Sequence, residues 1–364
     1  MIMYFSDLII SWSILFIVFI MISSNIGIDR NQRCIFYTII IFIFITSSCE
    51  CIGNVLNGTH SSIFLHYVIK IIELSLTPIL AFYSNKLFII KDETKFEIIF
   101  EKILIFLLVL HTLIEISNIK FGLIFYIDNK NIYIHGKFYS IYIFMCAINA
   151  AYFIHKISRF SKYYQNVNNL LLTLISTFLF SGESFSFFSN SNIKISWIIL
   201  SITLLFIYTY YNELIMYTDN LTGVLNQNYF NCLKNLKGQY ILIIFDIDDF
   251  KSINDTYGHE FGNKVLNIVG KIIKDTYFNY GHCYRIGGDE FAVLINKKLS
   301  RNDLLELNSH FIDSLQIYRN DFPKLPYVSF GSTLYDSDIQ SLESAKVEAD
   351  KDMYKYKKSS KIAR

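Results

Sequence analysis

The residues best suited to chemistry are Asp289 and Glu290, which follow two glycines in Arg285-Ile286-Gly287-Gly288-Asp289-Glu290-Phe291. The flanking stretches, Cys283–Ile286 and Phe291–Ile295, read as strands. A Gly-Gly pair takes positive φ readily, so the spacing predicts an antiparallel hairpin with the two acids at its tip. Gly287 and Gly288 leave room there for a phosphate or a metal ion. A second acidic strand end lies upstream, in Phe245-Asp246-Ile247-Asp248-Asp249-Phe250-Lys251. Asp246 and Glu290 are hard oxygen donors, and they meet if their strands are neighbours. Magnesium takes only one or two such carboxylates and completes its shell with water or substrate oxygens. Lys251, near a helix start, is placed to set its ammonium on phosphate oxygens. Taken singly, each of these groups is an ordinary solvated residue. Together they favour a site.

The elements that must position them follow from the pattern. A strand is predicted over 239–246, a helix over about 252–276, a hairpin over 283–296, a helix over 301–320, a strand over 326–335 and a helix over 340–358. Alternating strands and helices around a hairpin predict an α/β domain with helices on each side of one sheet. Pro323 and Pro326 bracket the turn into the late strand.

Several motifs now stand in order. Asp219-Asn220-Leu221-Thr222-Gly223-Val224-Leu225-Asn226 is similar to DxLTGLxN, and Gly258-His259-Glu260-Phe261-Gly262-Asn263 to GHxxGD. Ala349-Asp350-Lys351-Asp352-Met353-Tyr354-Lys355-Tyr356-Lys357-Lys358-Ser359-Ser360-Lys361 is similar to ADxALYxAKxxGR. With the hairpin and the acidic strand end, these resemble the GGDEF family of diguanylate cyclases from about Asp219 to Lys361. The resemblance implies a nucleotidyl-cyclase-like domain with a central, largely antiparallel sheet. It implies Mg²⁺ or Mn²⁺ held by Asp246, Glu290 and the Ile247 backbone carbonyl. Asp289 matches a position that binds metal or serves as base for the ribose 3′-hydroxyl, beside Lys251 as a further catalytic group. For GTP, the matching positions are Gly287, Gly288, Asn254, Asn263, His259, Lys357 and Lys361.

The chain departs from the family in four places. Gln227 and Asn228 replace two arginines after the opening motif. Asn263 stands where the family has Asp, so its amide can accept from guanine but can equally serve adenine. Lys361 stands for Arg, after Ser360 in place of Gly, which keeps the charge but loses the bidentate fork. The product-inhibition signature RxxD is missing, since Phe278-Asn279-Tyr280-Gly281 occupies its place.

The rest of the chain has a different composition. Of 364 residues, 52% are hydrophobic and 18% charged, with a mean hydropathy of +0.35, and most acids lie after position 212. That balance predicts a membrane portion over 1–212, joined to a cytoplasmic domain over 213–364. About seven apolar segments are expected, at 7–26, 34–52, 63–84, 98–117, 138–157, 168–188 and 194–214. Lys70 and Glu73, one helical turn apart, are placed to pair, while Glu115 and Glu183 are candidates for a polar lining. Loops after the first, third and fifth segments carry Arg30, Arg33, Lys86, Lys91, Lys95, Lys156, Arg159 and Lys162. The alternate loops carry Lys120, Lys130, Lys137 and Lys194, so the first set is expected on the cytoplasmic side. The amino terminus lacks the basic region and cleavage site of a signal peptide, and its apolar run is expected to remain as an anchor. Six cysteines without a C-x-x-C pair offer no zinc site, and a net charge of +2 gives no case for nucleic acid.

The expected protein is a multi-pass inner-membrane diguanylate cyclase with lipid around its helices. It would condense two GTP into cyclic di-GMP and two pyrophosphates as a homodimer, each domain bringing one nucleotide. Two other readings stay open. Asn263 allows a relaxed cyclase making cyclic AMP–GMP or cyclic di-AMP. Lys361 and Asn263 also allow a catalytically silent membrane receptor that binds GTP.

Overall fold

Short polar side chains set the ends of the helices in the first part of the chain. Asp29 caps helix α2 (Arg30–Leu56) by accepting from Asn31 N, and Ser62 caps α3 (Ile63–Ser84) by accepting from Leu65 N. Thr94 and Glu97 form a capping box on α4 (Lys95–Phe121), which ends at Gly122 in the left-handed region (φ 57°). With α1 (Ile2–Ser24), α5 (Tyr139–Tyr163) and α6 (Ser196–Tyr217), these are the long helices of this part. The computed structural model describes residues 2–88, 93–163, 171–177 and 196–363.

Among the described residues, five helices are long and apolar enough to cross a membrane: α1, α2, α3, α5 and α6. Large apolar side chains are exposed on them, most densely on α1 at Ile9, Phe16 and Ile17, a surface suited to hydrocarbon rather than water. The expected fourth segment forms α4, which is not among the five although Phe96, Phe106 and Leu113 are equally exposed. Of the sixth, only 171–177 is described, as helix, and Glu183 lies outside the described residues. Pro78 sits inside α3 without ending it.

Lys70 and Glu115 each find a partner one helical turn away. Lys70 Nζ lies 2.8 Å from Glu73 Oε2, and its stem crosses Gly53 of α2 so closely that a Cβ there would come 2.7 Å from Lys70 Cε. Glu115 accepts from Asn118 Nδ2 at 2.9 Å. The stretch between α4 and α5, read from sequence as a loop, holds an antiparallel hairpin of β1 (Phe125–Ile127) and β2 (Tyr133–His135). Its Asn131 amide donates to Leu56 O, Thr59 O and Ser61 O, tying the hairpin to the α2–α3 turn.

The chain divides into two compact units: the first lies within residues 1–212, and the second contains Glu213–Arg364. The second is built on a sheet of order β4–β5–β3–β6, every neighbouring pair antiparallel. Its strands are β3 (Gln239–Ile247), β4 (Gly281–Arg285), β5 (Glu290–Ile295) and β6 (Val328–Asp336). Its helices are α7 (Gln227–Cys232), α8 (Phe250–Tyr257), α9 (His259–Tyr277), α10 (Arg301–Asp321) and α11 (Leu342–Ala363).

Period-two alternation gives the sheet two apolar faces. Ile243, Phe245, Phe291 and Val293 pack with Val265, Val269 and Phe311 of α9 and α10. Leu242, Ile244, Ala292 and Leu294 pack with Phe230 of α7 and Ala345 and Ala349 of α11. Gly331 lets α11 lie directly on β6, because a Cβ there would overlap the backbone of Ala349 and Met353. The predicted single helix over 252–276 is two helices. Gly258 has φ 81°, which ends α8 and starts α9.

Candidate active site

The strand register brings the two acidic segments together. Asp246 pairs with Glu290 of β5 on one side and with Ser329 of β6 on the other. Directly opposed residues on antiparallel strands have Cβ atoms about 4.5–5.5 Å apart. Alternation puts Asp246 on the same face as Leu242 and Ile244, the face that α11 covers. From α11, Lys357 donates to Asp246 Oδ2 and sits 3.3 Å from Asp248 Oδ1. Lys346 lies 4.0 Å from Glu290.

Asp248 is only 4% exposed, accepts from Ser329 Oγ at 2.8 Å, and its N–H donates to Tyr327 O at 2.9 Å. Burial pushes the Asp246 carboxyl above its ordinary value; Lys357 opposes this, and the charges of Asp289 and Asp248 add to it. Burial opposes the charge of Lys357 too, but its bonds to Asp246 and Asp248 win and raise its pKa. The strand ends are therefore a pocket of negative charge that already draws a cation.

The antiparallel hairpin forms as expected, but without the positive φ expected of its glycines. Neither Gly287 nor Gly288 has positive φ. At the tip, the N–H groups of Ile286 and Gly287 donate to Glu290 O at 3.0 and 3.3 Å. Arg285 closes it from the side: its Nη2 and Nε donate to Gly288 O at 2.7 and 3.2 Å, and its Nη1 reaches the Asp219 carboxylate at 3.2 Å. Gly287 lies close to Glu290, where a Cβ would come 3.0 Å from Glu290 Oε2 and press on that side chain. Gly288 faces open space. Ile247 is buried, and its N–H donates to Asp289 O at 3.3 Å, so these two backbones adjoin.

A second group forms where α8 meets α9. Asp249 begins α8 at φ 56°, a conformation that Asp tolerates better than most residues. Lys251 is exposed in the first turn of α8. The Asn254 amide oxygen lies against Gly262, where a Cβ would overlap it. Asn263 follows in sequence, exposed, and His259 is exposed as the first residue of α9. Lys361 belongs to α11, but its side chain lies outside the described residues.

Four side chains were not singled out from sequence. Asp248 was within reach, because it is two residues from Asp246 and so shares its face. Arg285 and Asp219 are 66 residues apart and carry no local signal of pairing. Ser329 is visible only through the register of β6.

The family model described as "Diguanylate cyclase, GGDEF domain" matches residues 216–362. Diguanylate cyclase DgcS of Shewanella oneidensis is 38% identical over 95 residues, 24% of this chain and 32% of that protein. Probable diguanylate cyclase DgcI of Escherichia coli is 36% identical over 160 residues, 42% of this chain and 33% of that one. An uncharacterized Bacillus subtilis protein, YhcK, is 33% identical over 153 residues, 39% of this chain and 43% of its own length. The matches thus span less than half the length of these curated relatives. Among solved structures, the GGDEF domain of DgcB from Caulobacter crescentus, in complex with c-di-GMP, aligns at 24% identity. The TM-score is 0.34, over 39% of this chain and 90% of that one. Residues 216–362 of this chain are a GGDEF domain.

Proposed function

We propose that this chain is a membrane-anchored diguanylate cyclase that condenses two GTP into cyclic di-GMP and two pyrophosphates. The observation that carries this is the pairing of Asp246 with Glu290 at the ends of adjacent strands, beside a hairpin tip shaped to stay open. Among the described residues no group of three or more His, Cys, Asp or Glu side chains is arranged to hold a metal. Magnesium does not need one, since one or two carboxylates with substrate oxygens suffice. The residues present therefore fit a magnesium or manganese ion, with Asp246, Glu290 and the Ile247 carbonyl as its protein ligands. Such an ion, when bound, neutralises phosphate charge and lowers the pKa of an attacking hydroxyl.

The chain's own groups supply the rest. Asp289 stands at the tip to take the proton of the 3′-hydroxyl. Lys251, Lys357 and Lys361 hold phosphate oxygens, while Gly287 and Gly288 keep side chains out of their way. Asn254 and Asn263, joined across Gly262, read the base edge, with His259 at the rim. Two such domains face each other in a homodimer, each bringing one GTP.

Residues 1–212 form the membrane part and 213–364 the cytoplasmic part of this proposal. The five long apolar helices of the first part support it. Incubating the full chain in nanodiscs with GTP, ATP and Mg²⁺, then analysing the products, tests it. Cyclic di-GMP is expected; GTP bound without turnover would instead show a silent receptor. Mixed cyclic products would show relaxed base choice, the reading that Asn263 favours.

A further inference from the structure

Lys357 occupies a place that the proposed metal would need. Its ammonium is bonded to Asp246 and lies 3.3 Å from Asp248, so a divalent ion on Asp246 would be repelled by that positive charge. The helix that carries it is pinned. Ser332 N donates to Asp352 Oδ2 at 3.0 Å, Thr333 Oγ1 to Glu348 Oε2 at 3.0 Å, and Gly331 holds the α11 backbone against β6. One turn on, Tyr356 packs on Phe330 with ring centroids 4.7 Å apart. The helix therefore stays, and only the four-carbon stem of Lys357 is able to move its charge.

Asp248 is held just as firmly. It is buried, bonded by Ser329 and fixed through its backbone to Tyr327. It lies too deep to be an open ligand, but it holds an ammonium well. The two aspartates make a resting place for Lys357, distinct from the phosphate contact proposed for it above.

We propose that Lys357 is a placeholder cation that makes metal binding depend on nucleotide. With no nucleotide, it neutralises Asp246 and keeps the metal out. A nucleoside triphosphate brings competing anionic oxygens, Lys357 swings from the aspartates to them, and Asp246 is released for the ion that arrives with the substrate. This inference rests on the reading of Asp246 and Glu290 as metal ligands.

The test is Mn²⁺ binding to the full chain in nanodiscs, read by electron paramagnetic resonance with and without a non-hydrolysable GTP analogue. Signals are corrected for Mn²⁺ held by the free analogue. Wild type should bind Mn²⁺ weakly alone, and the analogue should tighten it by about tenfold or more, the scale of one charge-assisted contact. Lys357→Met and Lys357→Gln should bind Mn²⁺ about tenfold more tightly than wild type without the analogue, and gain less from adding it. If both variants bind Mn²⁺ no more tightly than wild type in its absence, the placeholder role is overturned while the metal site stands. If wild type binds no Mn²⁺ even with the analogue, the metal reading itself falls.

Discussion

Replacing Gly262 with Ala separates the fold from the site. A Cβ at this position overlaps the Asn254 amide oxygen, comes 3.0 Å from Asn254 Cγ and 3.2 Å from Phe250 Cζ. The first two atoms are the far end of a flexible side chain, so the collision is relieved by turning the Asn254 amide away. In an α-helix, Ala is favoured over Gly by up to about 1 kcal/mol, which offsets much of that cost. The unfolding midpoint should therefore change little. The displaced amide, however, is one of the two proposed to read the base. Losing one or two hydrogen bonds there is worth about 1.5–3 kcal/mol, or roughly tenfold to a hundredfold in kcat/KM for GTP. The assay pairs scanning fluorimetry of the solubilised chain with initial rates of pyrophosphate release. An unchanged kcat/KM would remove Asn254 from base reading. A large fall in the midpoint would show that Gly262 is structural instead.

Gly331→Ala should behave oppositely, because its Cβ meets the α11 backbone rather than a side-chain tip; a loss of about 2 kcal/mol or more is expected in denaturant titration. Asn263→Asp should shift product from mixed or adenine-containing species toward cyclic di-GMP, by about tenfold for about 1.4 kcal/mol, in competition assays with equal GTP and ATP. An unchanged ratio would leave base choice to Asn254 and pocket shape. His282 on β4 has its pKa lowered from 6.5 by burial, so the unfolded chain takes up its proton first as pH falls. Stability of the second unit should therefore drop as pH falls below about 6.5, and His282→Phe should flatten that slope in melts at stepped pH. Cyclic di-GMP should not inhibit through an RxxD site; strong non-competitive inhibition in rate assays would point to another surface.

The sheet and its acidic ends were legible because period-two alternation and a Gly-Gly-Asp-Glu tip are local signals. What was not legible depends on distance or on backbone detail. Gly287 and Gly288 invite positive φ, but Arg285, gripping Gly288 O and Asp219 together, holds a tip that needs none. The break at Gly258 was hidden inside an otherwise helical pattern. Between α4 and α5, two strands of three residues each are too short for periodicity to show, although Asp128-Asn129-Lys130-Asn131 carries turn chemistry. Lys357 was assigned to phosphate from its motif position, yet only the packing of α11 on β6 shows it on Asp246 and Asp248.

The central claim is that Asp246 and Glu290 together form the catalytic end of the sheet. Its most direct test is product formation from GTP and Mg²⁺ by the full chain, compared with Asp246→Asn and Glu290→Gln. Wild type should make cyclic di-GMP, and each variant should lose it by at least about a thousandfold while keeping its unfolding midpoint within a few degrees. Near-normal turnover by either variant would contradict the assignment.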